Sequence, residues 1–206
     1  FKDGDSITTG TGYYSADRKN NPLRVCCSID PNYTREDYGT DIFVLGFRKN
    51  DDWKSEIINS LLEDFLIAIF NNELVVVIDG MEINANNLSE IIECFKDTAQ
   101  IAYNYYQVLT DKKAVKIKHE FTGLGAIELY ILINQGLHRK VMMCRRNGMK
   151  IFDKANISGT IQFAGICVLK DDKINEYFRD MENPQHNAWE PERHSTDSKS
   201  KAKSNI

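Results

Sequence analysis

The sequence contains no long apolar run, and its first residues do not have the pattern of a signal peptide. No apolar run approaches the roughly 20 residues that a transmembrane helix requires. The first residues, Phe1 to Asp5, have neither the basic start nor the apolar centre of a signal peptide. They also lack an initiator methionine, so we expect further sequence before residue 1.

Cysteine is present in an odd number, five, and no Cys-x-x-Cys pair occurs. Cys26 and Cys27 are adjacent, so on a strand they would point to opposite faces. The four histidines are not spaced to complete a zinc site with these cysteines: His119, His138, His186 and His194. We therefore predict reduced, mostly buried thiols, no metal site and a cytoplasmic location.

Several catalytic signatures are also missing. The sequence has no Walker A loop, no HExxH, no GxSxG and no DxDxDG. Adjacent carboxylates do occur, but Asp51-Asp52 and Asp171-Asp172 lie at predicted helix starts, where they stabilise free N–H groups. A net charge of −4 over 206 residues is too mild to imply a polyanion partner for the whole chain, although local basic patches are compatible with it.

The strongest pattern that is present lies between residues 39 and 71. Residues 39–47 read GTDIFVLGF and are apolar on both sides, which predicts a central, covered strand. An amphipathic helix over about residues 52–71 follows. Apolar residues at near-helical spacing predict it: Trp53, Ile57, Leu61, Phe65 and Ile69. Before this region, residues 1–22 are typical of a loop and residues 23–29 of a strand.

The rest of the chain predicts an α+β domain. A β-branched strand and an Asp79-Gly80 hairpin precede two helical pieces. From residue 114 the hydrophobic period changes to two, and strands joined by tight turns are predicted to be antiparallel. A last helix follows Asp171 or Asp172, and the tail from Ser195 is predicted to be disordered. The predicted fold is a mixed, largely antiparallel sheet with helices packed on one face, in two layers.

Two groups of residues indicate binding. Cations surround the predicted Asn147-Gly148 turn: Arg139, Lys140, Arg145, Arg146 and Lys150. They suit a phosphate of a nucleotide or of nucleic acid, and they equally suit a solvated hairpin. Tyr103, Tyr105 and Tyr106 lie close together and suit either base stacking or packing. Together these groups support one hypothesis, a nucleic-acid-binding module.

His186 supports a different hypothesis, a hydrolase. It lies between Pro184 and Trp189 in an irregular segment, and a histidine is the usual acid/base group. No nearby carboxylate or nucleophile completes a constellation in the sequence. The favoured interpretation is therefore a hydrogen bond that fixes the C-terminal segment. A purely structural or partner-binding domain is a further alternative.

The sequence also resembles bacterial ATP-binding proteins of the GHKL superfamily, relatives of gyrase B, MutL and the MORC ATPases. The resemblance spans about residues 36–193. It rests on Trp53 and on residues 39–47, 65–69 (FLIAI), 74–78 (LVVVI), 146–151 (RNGMKI), 163–165 (FAG) and 182–189 (ENPQHNAW).

The resemblance implies site residues. Gly39 and Thr40 would match a Gly-Thr pair late in the ATP-binding domain, whose threonine lies near the nucleotide phosphates. Gly10 and Gly12 would belong to a glycine-rich lid. A transducer-like domain would follow, known for a left-handed βαβ crossover. From one of its loops a basic residue would reach the γ-phosphate, and the candidates here are Lys150, Arg146 and Arg145.

The resemblance also implies an incomplete enzyme. Such ATPases need an Asn- and Glu-bearing helix for Mg²⁺ and water, and an Asp-x-Gly-x-Gly turn for adenine, and this sequence has neither. We expect ATP and Mg²⁺ only in the full-length protein, where an N-terminal ATP-binding domain is the partner of this chain. The expected organisation is a remnant of that domain at 1–47, a transducer-like domain at 48–181 and an irregular segment at 182–206. Its role would be to couple nucleotide state to dimerisation or partner binding.

Overall fold

A computed structural model of the chain describes Lys2–Asp3, Ser6–Ile7 and residues 38–42, 44 and 46–195. The chain divides into two compact units, Phe1–Arg48 and Lys49–Ile206. In the first unit, strands β1 (Lys2–Asp3) and β2 (Ser6–Ile7) pair antiparallel. Several predictions lie outside the described residues: the lid glycines Gly10 and Gly12, the strand at 23–29, Cys26 and Cys27, and the tail beyond Ser195.

The prediction of a covered strand at residues 39–47 is wrong for the part of this segment that the structure describes. None of its described residues is in a strand. The side chains of Ile42 and Val44 are 85% and 68% exposed. An apolar, β-branched sequence gives only a local preference, and a buried strand also needs a paired neighbour and a layer over each face.

The predicted amphipathic helix is confirmed as α1 (Trp53–Phe70). Its buried face carries Leu62, Leu66 and Ile69, none of which is accessible to solvent. Each such side chain contributes about 1.5–3 kcal/mol on full burial. The helix therefore forms the centre of the main core.

The remaining predicted elements are also present, in nearly the predicted positions. In chain order they are β3 (Val76–Ile78), β4 (Met81–Ile83), α2 (Leu88–Cys94), α3 (Gln100–Thr110), β5 (Val115–Phe121), β6 (Gly125–Ile133), β7 (Lys140–Cys144), β8 (Lys150–Lys154), β9 (Phe163–Leu169) and α4 (Asp172–Asp180). A short 3-10 helix at Pro191–Arg193 lies in the segment predicted to be irregular. β3 and β4 form the predicted hairpin around Asp79-Gly80.

The main sheet has the strand order β5-β6-β9-β7-β8. Antiparallel pairing across tight turns is confirmed for β5–β6 and for β7–β8. The turn at residues 134–136 does not make a hairpin, because β9 inserts between β6 and β7 and runs parallel to β7. All seven residues of β9, the middle strand, are buried. Both faces of the sheet are therefore covered at its centre.

The left-handed βαβ crossover that the resemblance implied does not occur among the described strands. Among the described strands, β7 and β9 form the parallel pair. The chain between them runs through β8 and the loop at residues 155–162, and it contains no helix.

The architecture is α+β, as predicted. α1, α2 and α3 share one core with one face of the sheet, represented there by Leu132, Met142 and Ile166. The opposite face meets α4, where Ile174 and Phe178 pack with Leu169. The placement of helices on one face is therefore confirmed for α1 to α3 and wrong for α4. The amphipathic pattern identifies an apolar helix face, but the choice of sheet face is tertiary.

None of the helices in the described ranges is both long enough and apolar enough to pass through a membrane.

Candidate functional site

The site is built around the tip of the β7–β8 hairpin. The tip is closed by hydrogen bonds between Arg145 and its neighbours: Gly148 N–H donates to the Arg145 carbonyl at 2.9 Å, and Arg145 N–H to the Met149 carbonyl at 2.9 Å. Gly148 has φ +75°, a left-handed conformation that glycine adopts without strain. The sequence Asn147-Gly148 therefore forms the turn that its composition predicts.

Helix α1 fixes one side of this tip. A Cβ built on Gly148 would lie 2.6 Å from the backbone nitrogen of Ala68. Real Cβ atoms do not approach so closely, so the hairpin backbone reaches the helix only because residue 148 has no side chain.

Asn175 of α4 fixes the other side. Its Oδ1 accepts a hydrogen bond from Arg146 N–H at 2.9 Å. Its Nδ2 donates to the Asp171 carbonyl at 2.8 Å. The same amide thus joins the hairpin tip to the first turn of α4, a contact that no sequence pattern predicts.

Beside the hairpin tip and α4 lies an open cleft of about 530 Å³. Its lining is strongly polar: Glu73, Arg145, Arg146, Asn147, Asp172, Asn175 and Arg179. Three arginines face two carboxylates, and asparagine side chains supply further donors and acceptors. Such a lining suits an anion with several oxygen acceptors.

Arg146 and Arg179 are the cleft cations best placed to bind a ligand. Arg146 is exposed and its Nη1 pairs with Asp172, which is more exposed still. The hydrogen bond to that carboxylate raises the pKa of the Arg146 guanidinium above its usual value. Arg179 is also exposed and makes no ion pair within the described part of the chain. Sequence reasoning did not identify Arg179, because its helical neighbours carry no motif.

Arg145 has a structural partner instead. Its Nη2 donates to Oε2 of Glu182, whose side chain is 2% exposed. His186 Nδ1 lies 2.7 Å from the same oxygen. The predicted hydrogen-bonding role of His186 is confirmed. The expectation of no carboxylate near it is corrected, since the turn at residues 183–188 folds His186 back onto Glu182.

Lys150 lies away from the cleft lining. Its Nζ is 3.0 Å from Oδ2 of Asp153, and both side chains are largely buried. The other oxygen of Asp153 accepts a hydrogen bond from the Tyr105 hydroxyl at 2.8 Å. Tyr105 is fully buried, so it cannot stack on a base, and its place in the predicted aromatic platform is wrong. Tyr103 and Tyr106 are partly buried against the same core.

The five cations of the predicted basic hairpin therefore do not form one patch. Arg139 and Lys140 lie at the start of β7, at the far end of the strand from Arg145 and Arg146. Arg139 Nη1 donates to the Gly159 carbonyl at 3.0 Å. A hairpin brings its two strands together, but its tip and its open end lie a strand length apart. Closeness in the sequence alone does not show this separation.

Gly39 and Thr40 lie in the first unit, where both are exposed. Gly39 has φ +142°, a conformation that side-chain-bearing residues rarely adopt. Among the described residues, no group of three or more His, Cys, Asp or Glu side chains is arranged to hold a metal ion. Of the thiols that are described, Cys144 and Cys167 are buried and Cys94 is exposed.

Comparison of the chain with models of protein families, with curated proteins and with solved structures found no match.

Proposed function

We propose that this chain is the transducer-like part of a bacterial GHKL-type ATPase, and that its arginine-lined cleft senses a nucleotide phosphate. In this role it couples nucleotide state to dimerisation or partner binding. The observation that carries the proposal is the cleft itself, in which the exposed Arg146, on a hairpin tip fixed by α1 and α4, lies beside the exposed Arg179 of α4.

Arg146 is the preferred phosphate-sensing residue among the three candidates. Its partner Asp172 is exposed, and exposed ion pairs contribute only about 0–1 kcal/mol, so a phosphate can replace this carboxylate at small cost. Arg145 is held by the buried Glu182, and Lys150 by Asp153. Arg179 joins Arg146 in the same cleft and supplies a second planar donor group.

The nucleotide itself would be held by an ATP-binding domain that carries the adenine and Mg²⁺ motifs. ATP and Mg²⁺ then belong to that domain, and this chain alone neither binds nor hydrolyses ATP. Gly39 and Thr40, with Gly10 and Gly12, would lie on the ATP-binding side of the junction. The setting would be the cytoplasm.

The first test of the proposal is the coding sequence immediately upstream of Phe1. We expect an Asn- and Glu-bearing helix followed by an Asp-x-Gly-x-Gly motif. An upstream sequence without these motifs would overturn the family assignment, whatever the cleft binds.

The second test is ATP hydrolysis by the full-length protein. Loss of a charged donor that contacts the transferred phosphate lowers kcat by about 100-fold or more, and we expect this of Arg146→Ala. The matched control is Arg193→Ala, because Arg193 is also exposed and paired, with Glu190, but lies outside the cleft lining. Equal kcat values for the two variants would refute the role of Arg146.

The cleft arginines would also suit the phosphates of a nucleic acid, which is the alternative function. The separation of Arg139 and Lys140 from the tip and the burial of Tyr105 reduce the surface available for it. Anisotropy titrations with DNA and RNA at two salt concentrations distinguish the two functions. Salt-sensitive binding that Arg146→Ala/Arg179→Ala abolishes would favour nucleic acid over a nucleotide.

A further inference from the structure

Strand β5 is an edge of the main sheet, and within the described residues its outer side pairs with no strand. It pairs only with β6, in unbroken register from Val115 opposite Ile131 to Phe121 opposite Gly125. Six of its seven residues are exposed. Among them, Val115 and Ile117 are 57% and 45% exposed although both are β-branched and apolar. A long, regular edge of this kind is a template for a further strand.

β5 has few of the features that usually protect an edge strand from pairing with another strand. It contains no proline, and its pairing with β6 shows no bulge. Charged side chains can also protect an edge, but Lys116 is engaged with its own sheet. Its Nζ lies 3.0 Å from Oε1 of Glu128 and 5.1 Å from the Tyr130 ring centroid. Lys118 and Glu120 remain, with opposite charges on the same face of the strand.

The charge order of β5 is complementary to itself in one register. Two copies related by a two-fold axis perpendicular to the sheet run antiparallel, with one residue opposite its own copy. With His119 at this centre, Lys118 of each copy faces Glu120 of the other. The apolar Ile117 and Phe121 then also face each other across the axis. Cross-strand pairs of these kinds each contribute favourably.

The neighbouring registers are less favourable because each of them opposes like charges. A centre at Lys118 or at Glu120 places that residue opposite its own copy. A centre at Ile117 places Lys116 opposite Lys118. Directly opposed like charges destabilise a strand pair, so the charges select the register centred on His119.

We infer that β5 is a homodimer interface at which a second copy of this chain pairs antiparallel around His119. The two five-stranded sheets become one continuous sheet, and the β5 edges of both copies are paired. This dimer is formed by the chain itself and does not rest on the proposed ATPase function.

The mass of the 206-residue chain in solution tests the inference. Light scattering and sedimentation over a concentration series should show a species of twice the 23.6-kDa mass of one chain. Glu120→Lys should raise the dimer dissociation constant by about tenfold or more, because symmetry repeats the new Lys–Lys repulsion twice. In its own sheet residue 120 lies opposite Ala126, so this change leaves the fold intact.

Glu90→Lys on α2 is the matched control, since Glu90 is exposed and the charge change is the same. It should dimerise like the unmodified chain. A mixture gives the sharpest result: Lys118→Glu and Glu120→Lys chains should each dimerise about tenfold or more weakly alone, and the two together should form a mixed dimer with its opposite charges restored. A thermal melt checks that Lys118→Glu folds, because residue 118 lies opposite Glu128. A chain that is monomeric at every concentration, or a dimer that Glu120→Lys does not weaken, would overturn the inference.

Discussion

Gly148 and Ala68 meet backbone to backbone, with room for no Cβ at position 148. The contact joins the tip of the β7–β8 hairpin to the last turn of α1. Because the cleft arginines Arg145 and Arg146 lie three and two residues before this glycine, in the same hairpin tip, the Gly148–Ala68 contact fixes the position of the backbone that carries them.

Gly148→Ala should destabilise the protein by about 2–5 kcal/mol. A side chain in left-handed backbone costs about 1–2 kcal/mol, and overpacking against Ala68 adds about 1–3 kcal/mol. The measurement is the free energy of unfolding in urea. Gly136→Ala separates the two costs, because Gly136 also has positive φ (+85°) but a Cβ there meets nothing within 4 Å. Equal losses in both variants would show that the Ala68 contact is not tight.

Arg145→Ala should be far more destabilising than Arg146→Ala. Arg145 is the counterion of the buried Glu182, and removing one partner of a buried ion pair costs about 3–5 kcal/mol, of which the remaining His186 contact to Glu182 offsets a part. Arg146 pairs with Asp172 in solvent, where the loss stays within about 1 kcal/mol. Thermal melts of the two variants measure the difference. Comparable melting temperatures would contradict the assignment of Arg145 as structural and Arg146 as available to ligand.

Tyr105→Phe should cost about 1–2 kcal/mol of stability. The change removes the hydroxyl that donates to Asp153 at 2.8 Å and leaves part of a largely buried carboxylate unsatisfied. Tyr106→Phe is the control on the same helix, since its hydroxyl makes no hydrogen bond within the described part of the chain. Urea unfolding of both variants checks the prediction, and a larger loss for Tyr106→Phe would refute it.

His138 should make stability depend on pH in the acid range. Burial lowers the pKa of its ring from 6.5 to about 4 in the folded protein. Between these values the unfolded chain binds a proton at this ring and the folded chain does not. Stability is therefore fully present above pH 6.5 and decreases as the pH falls from 6.5 towards 4.

The expected loss over this interval is about 1–2 kcal/mol, less than the full shift would give, because the ring is only partly enclosed. Unfolding free energies at pH 7, 5.5 and 4.5 measure it, in the unmodified chain and in His138→Gln. In the glutamine variant residue 138 does not titrate, so the unfolding free energy should fall less steeply with decreasing pH. Identical slopes in the two proteins would exclude His138 as its source.

The helices and strands of the second unit could be read from the sequence because their signals are local. The spacing of Leu62, Leu66 and Ile69 predicts one face of a helix, and Asp79-Gly80 and Asn147-Gly148 predict turns from their own backbone preferences. The same local signals failed at residues 39–47. There an apolar sequence was taken for a buried strand although burial depends on partners that the segment does not contain.

The candidate site was predictable only in part. Arg145 and Arg146 were identified because they adjoin a recognisable turn. Arg179 and Asn175 lie about 30 residues further along the chain, and only the packing of α4 beside the hairpin tip brings them to the cleft. The resemblance implied the same role for Lys150 as for Arg146. A register shift in the β7–β8 ladder places Lys150 opposite Cys144 and Asp153 opposite Met142, so Lys150 shares a face with Asp153 and pairs with it instead.

The sequence by itself determined the α+β class, the positions of the elements and the two hairpin turns, since each follows from periodicity and backbone preference over a few residues. Tertiary structure alone decided that β9 separates β6 from β7, that α4 takes the opposite face, and which arginines share a cleft. The physical reason is that strand order and contacts between side chains distant in sequence depend on burying whole apolar faces of helices and sheets against each other. That free energy belongs to contacts between distant segments, and no short stretch of sequence contains it.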